Sequence, residues 1–154
     1  MVLACHEAFL IERTRNVRHG SRPFYLHLKG VHDLLRDWGA AEHVCYAGLF
    51  HSIYGTRDFR MSVLDRNSVV DRCELLGLIG AAAERLVLRF CDEAREVARD
   101  AELAELEVAN LIEQGANFPP WLLVRFGRLP LSDGARLHLL VASGWDDARL
   151  RSLA

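Results

Sequence analysis

Along this chain apolar side chains recur with helical period almost throughout. Phe24, Leu28, Val31, Leu35 and Trp38 fall on one stripe, the pattern of a helix that buries one face. Ser21 is placed to cap that helix, with Pro23 in its first turn, and Gly39 ends it. A first helix is expected from Val2 to Arg15, divided from the second by Arg18-His19-Gly20-Ser21-Arg22-Pro23. A third, Ala41 to Ile53, is apolar on nearly all sides and predicts a buried central helix closed by Gly55-Thr56. A loop to Asn67 leads into a short helix ending near Ile79. Ala83, Leu86, Val87, Phe90, Ala94 and Val97 mark another amphipathic helix, and Leu103, Leu106, Asn110 and Gln114 share a face of the next. Phe118-Pro119-Pro120-Trp121 breaks the pattern, and within Trp121 to Leu131 the run Leu-Leu-Val-Arg-Phe also suits extended backbone. Ser132-Asp133 opens a helix through Val141, and a short last helix is expected from Asp146 to Leu153. No alternating Val/Ile/Thr run and no Asn-Gly turn argues for a sheet. The expectation is an all-α single domain over residues 1–154, a bundle of about six or seven helices.

Composition narrows the function classes. The 154 residues are 51% hydrophobic and 26% charged, which is ordinary for a folded domain. A net charge of −2 gives neither the basic footprint of a nucleic-acid binder nor a polybasic membrane patch. The longest uncharged apolar stretch, Leu75 to Ala83, is far short of the roughly 20 residues a membrane span needs. The N-terminus lacks a charged segment followed by an apolar one, so no secretion signal is expected. Cys5, Cys45, Cys73 and Cys91 form no CxxC pair and read as reduced, mostly buried thiols of a cytoplasmic protein. The charges between Asp92 and Glu107 read as a solvated helical face. No phosphate loop, GxSxG elbow or dinucleotide fingerprint is present. A small-molecule substrate is the expected partner. Phe118, Trp121, Leu122, Leu123, Val124 and Phe126 offer apolar area for a second copy in a homodimer.

Among seven histidines, two stand where chemistry is plausible. His27 lies about 60° from the centre of its helix's apolar stripe, facing partly inward, with Gly30 leaving room nearby. His51 shares a face with Val44, Ala47 and Gly48, whose small side chains admit a neighbouring helix. Two buried imidazoles on adjacent helices can share a metal ion. The plainer alternative is a histidine satisfied by a backbone carbonyl or a Tyr hydroxyl. His6, His32, His43 and His138 read as surface or boundary residues.

From His19 to Phe59 the chain resembles an HD-type metal-dependent domain. The residues are His27-Leu28-Lys29-Gly30-Val31-His32-Asp33-Leu34-Leu35, Trp38-Gly39 and Cys45-Tyr46-Ala47-Gly48-Leu49-Phe50-His51-Ser52-Ile53-Tyr54-Gly55-Thr56. More narrowly, they are similar to an HD-related family with the signature HLxGxxxLLxxWG…CxAGLFHSIYGT. The likeness continues through Ile79-Gly80, Ala83-Glu84-Arg85-Leu86 and Glu107 to Asn110, and stops at Gln114.

HD-type domains are helical bundles holding divalent metal, and include phosphohydrolases, (p)ppGpp hydrolases and iron oxygenases such as the inositol oxygenases. The resemblance implies that His27 is the first metal ligand and His51 the histidine of the His-Asp pair. The partner position holds Ser52 instead of Asp, which removes a charge and a ligand; the narrower family shares this His-Ser. Arg57 stands where an acidic residue is expected. Asp92 is the match for the distant aspartate, although its periodicity suits a solvated carboxylate.

Further candidates surround these. Tyr54 and Glu107 would serve as acid or base, and Ser52 as a nucleophile beside His51, although adjacent helical residues point apart. His19 would be a further ligand or a substrate contact; Asn110 and Thr56 would also meet substrate. Glu107 and Asn110 would alternatively hold the histidines or bond each other across helices. The implied cofactor is a divalent metal, Fe or Mn. Three functions follow: a metal-dependent hydrolase of a small, phosphorylated molecule or similar; a non-haem iron oxygenase; or a metal-free HD-derived binding protein.

Overall fold

The structure, a computed structural model, describes residues 2–115, 129–144, 146 and 148. Among the described residues six α-helices and one small hairpin make an all-α bundle, as expected. Helix α1 is Val2–Thr14. Strands β1 (Arg18–His19) and β2 (Arg22–Pro23) pair antiparallel, Arg18 opposite Pro23 and His19 opposite Arg22. Gly20, at φ +62°, supplies the left-handed residue that a two-residue hairpin turn requires. Ser21 therefore sits in this turn and does not cap the next helix. Helix α2, Phe24–Asp37, starts from Pro23 without a side-chain cap.

Helix α3, Glu42–Phe50, is the central element. It packs on α2 at one side and on α4, Val69–Phe90, at the other. The contact with α2 is close because residue 48 is glycine: a Cβ there would lie 2.5 Å from Leu35 Cδ1. The stripe of α2 is buried as its spacing predicts, with Phe24, Leu28, Val31 and Leu35 inaccessible to solvent. Each such side chain contributes on the order of 1.5–3 kcal/mol.

Ser68 caps α4, and the helix breaks at Gly80, whose φ of +80° and ψ of 163° are not helical. The expected helix through Val97 ends instead at Phe90. Asp92 accepts a bond from Ala94 N at 2.9 Å, an Asx turn that competes with helix, and Ala94 is exposed. A 3-10 turn at Val97–Arg99 leads to α5, Ala101–Glu113, capped by Asp100. Helix α6, Asp133–Ser143, starts at Ser132 as expected. It docks on the end of α2, where Trp38 Nε1 donates to His138 Nδ1 at 3.2 Å.

The expected extended run after Trp121, the apolar dimer surface from Phe118 to Phe126 and most of the last helix lie outside the described residues. Cys45 and Cys91 are buried, but Cys5 and Cys73 are exposed, and all four are free thiols. His6 and His32 are buried and not boundary residues. No described helix is long and apolar enough to cross a membrane.

Candidate functional site

His27, on the inner face of α2, and His51, capping the C-terminus of α3, are both buried. Their Nε2 atoms lie 3.1 Å apart, with the rings nearly perpendicular. The other nitrogen of each ring is committed. His51 Nδ1 donates to Gly48 O at 2.7 Å, and His27 Nδ1 donates to the carboxylate of Glu113. With both Nδ1 atoms bonded elsewhere, the two Nε2 atoms are left facing each other. Two lone pairs at that separation repel, so a proton shared in an N–H···N bond or a metal ion held by both belongs there. Burial first, and then the proximity of His27, pull the His51 pKa down from 6.5 to about 3. His51 is therefore a neutral ring at pH 7, the form that ligates metal. Two imidazole nitrogens on one octahedral ion, at about 2.1 Å each and about 90° to each other, would lie about 3 Å apart. The observed separation fits that donor set as well as it fits an N–H···N hydrogen bond, and a carboxylate behind the ring, as Glu113 stands behind His27, is the usual outer partner of a metal-bound histidine.

Glu113 reaches His27 from the end of α5. Its side chain is only 8% exposed, and Arg22 of the hairpin donates to its other oxygen. Gly30 makes this approach feasible, since a Cβ there would lie 2.6 Å from Glu113 Oε1. Glu113 and Arg22 were not legible as site residues. A signal for Glu113 does exist: it extends the 3-4 spacing Leu103, Leu106, Asn110 to a position where an apolar residue is the norm.

In front of the pair lies a cleft of about 260 Å³. Five expected site residues line it: His19, Ser52, Thr56, Glu107 and Asn110. The histidines stand behind its wall. His19 stacks on His27 with ring centroids 4.2 Å apart and planes 7° from parallel. Burial, followed by the neighbouring His27, lowers the His19 pKa. The Gly48 carbonyl and then the Asn110 side chain oppose the fall in the His51 pKa. The Phe90 and His51 rings stand perpendicular, with centroids 5.2 Å apart. Thr56 Oγ1 accepts from Phe59 N at 3.0 Å and so closes the loop that brings Phe59 to the cleft.

Three expectations are corrected. Asp92 is exposed on the turn after α4, lines a different cleft and does not join the histidines. The Tyr54 hydroxyl donates to buried Glu84 at 3.3 Å, burial first and then that carboxylate push its pKa up, and it does not line the histidine cleft. Ser52 has no base, because His51 spends Nδ1 on Gly48 and aims Nε2 at His27. Arg57 is exposed beside Asp58. Among the described residues no group of three or more His, Cys, Asp or Glu converges as a metal site. Two histidines are thus the protein's own convergent donors, and the remaining positions would fall to water or substrate.

Arg95 belongs to the stretch whose charges suit a solvated face, and the structure differs. Its side chain is only 11% exposed, lines the cleft and pairs with Glu107 at 3.0 Å. A helix continued to Val97 would leave it in solvent, whereas the turn after Phe90 swings it inward.

A family model described as a domain of unknown function (DUF6817) matches residues 10–95, more than half of the chain. The chain belongs to this family. The matched segment carries both histidines, His19, the serine after His51 and Arg95, whereas Glu107, Asn110 and Glu113 come from α5 beyond it. No curated protein and no solved structure matches the chain.

Proposed function

We propose that the protein is a small HD-like enzyme, a metal-dependent hydrolase of a small molecule, with His27 and His51 holding a divalent ion, Fe or Mn. The observation that carries this reading is the pair of Nε2 atoms 3.1 Å apart, each on a ring whose Nδ1 is already bonded. The sequence resemblance of the His27–Thr56 segment to HD-type domains supports it. A divalent ion supplies Lewis acidity, lowering the pKa of water and polarising a phosphoryl or carbonyl oxygen.

The chain's own residues do the rest. Glu113 and the Gly48 carbonyl fix the tautomers and ring planes of the two histidines. Asn110 steadies His51 from α5. Glu107 is the one carboxylate of α5 on the cleft wall and is the acid–base candidate, its charge balanced by Arg95. His19 and Thr56 border the substrate space. An all-nitrogen pair without a protein carboxylate ligand is a weaker trap for metal than the His-Asp arrangement, as Ser52 implies.

Elemental analysis of the purified protein is the test, together with hydrolysis of p-nitrophenyl phosphate and bis-p-nitrophenyl phosphate. Stoichiometric Fe or Mn is expected in the wild type, with loss in His27→Ala and His51→Ala. Unchanged metal content in folded His51→Ala overturns the reading. Metal with dioxygen uptake and no hydrolysis replaces it with the oxygenase.

A further inference from the structure

We infer that Arg95 is an oxyanion-binding residue, and that the substrate of the histidine cleft carries a small anionic head group, phosphate or carboxylate. The inference deepens the proposed function and rests on it only for the word substrate; the binding site itself stands on the geometry of Arg95.

Arginine offers five N–H donors in a planar fork that matches two oxygens of an anion. In this protein one donor, on Nη2, goes to Glu107. Nε is buried and has no partner among the described residues. A buried donor without an acceptor costs about 1–3 kcal/mol, so a satisfied resting structure would not leave it there. The guanidinium lies over the face of Phe90, 4.7 Å from the ring centroid, which holds its plane in place. The same Phe90 ring meets His51. The fork and the histidine pair are therefore fixed to one aromatic wall.

The rest of the cleft agrees with this assignment. Arg95 is the one permanent cation on its described wall, and Asn110, Gln114, Ser52 and Thr56 supply neutral polar groups. About 260 Å³ falls below the usual 300–1,000 Å³ of drug-sized pockets, so the occupant is small. Glu107 and Asp58 are the carboxylates there, and Glu107 competes with the ligand for Arg95. The turn that places Arg95 is built by Asp92, through Ala94 N to its side chain and Arg95 N to its carbonyl at 3.2 Å.

The test is calorimetric titration of the chelator-treated full chain with inorganic phosphate and, separately, with malonate. Saturable binding of at least one is expected, and whichever binds more tightly identifies the head group. Arg95→Met should weaken it by about tenfold or more. Arg95→Lys keeps the charge and the fold but lacks Nε, and should recover only part of the affinity. Glu107→Gln should tighten binding by releasing the fork. No saturable binding of either anion overturns the inference, as does equal affinity in wild type, Arg95→Lys and a folded Arg95→Met. Because metal is removed, a failure here leaves the histidine reading standing. Loss of metal binding in the earlier test likewise leaves Arg95 untouched.

Discussion

The plane of the His27 ring is set by Glu113, and Glu113 fits only because residue 30 has no side chain. An alanine at 30 would push a Cβ into the carboxyl and turn it away from both His27 and Arg22. Gly30→Ala and Glu113→Ala are each expected to lower metal affinity by about 10–100-fold while the helical content is kept. Competition with a fluorescent chelator measures this; wild-type affinity in both variants would show that Glu113 does not orient His27. At this scale the sequence was informative wherever a residue's own helix decided its fate. His27 and His51 were legible because an imidazole on an apolar stripe must find a buried partner. Arg22, Arg95 and Glu113 were not, because their partners come from other elements.

The break in α4 shows how an element depends on what leans on it. Gly80 interrupts the ladder, and a backbone carbonyl near the break loses its helical donor. His6 of α1 supplies one, its Nε2 donating to Leu78 O at 2.7 Å. On the other flank Arg72 grips buried Glu84, tying the two halves of α4 together across the kink. Tyr54 adds its hydroxyl to the same carboxylate, which gives it a structural task. The backbone angles at Gly80 belong to a region that is essentially glycine's alone. Gly80→Ala is therefore expected to destabilise the protein by about 1–3 kcal/mol in chemical denaturation. A change within a few tenths would mean that α4 runs straight at little cost. The sequence marks the caps at Ser68, Asp100 and Ser132 through residue type. It does not mark where α4 stops, since apolar Ala94 and Val97 keep the period while the Asp92 turn diverts the chain.

For the molecule as a whole, buried His51 links stability to pH. Unfolded His51 takes up a proton near pH 6.5, whereas folded His51 does so only near 3, with His27 and His19 also opposing the charge. Between those values the unfolded chain binds more protons, so stability falls as pH drops through 6.5 toward 3. One such group gives a slope of about 1.4 kcal/mol per pH unit. Thermal unfolding of chelator-treated protein between pH 7 and 4.5 should show the decline, and His51→Gln should flatten it. An equal slope in the variant would place the dependence elsewhere.

The sequence by itself determined the all-α class, the buried central helix, the apolar stripe of α2 and the inward turn of two histidines. These follow from local spacing and side-chain type, which the chain carries wherever it folds. Only the tertiary structure decided that the two rings meet, that a carboxylate from α5 stands behind one of them, and that Arg95 enters the cleft while Asp92 stays outside. Those outcomes depend on how close helices approach and where a turn diverts the backbone. Both are set by packing between segments far apart in sequence, where period and propensity carry no information.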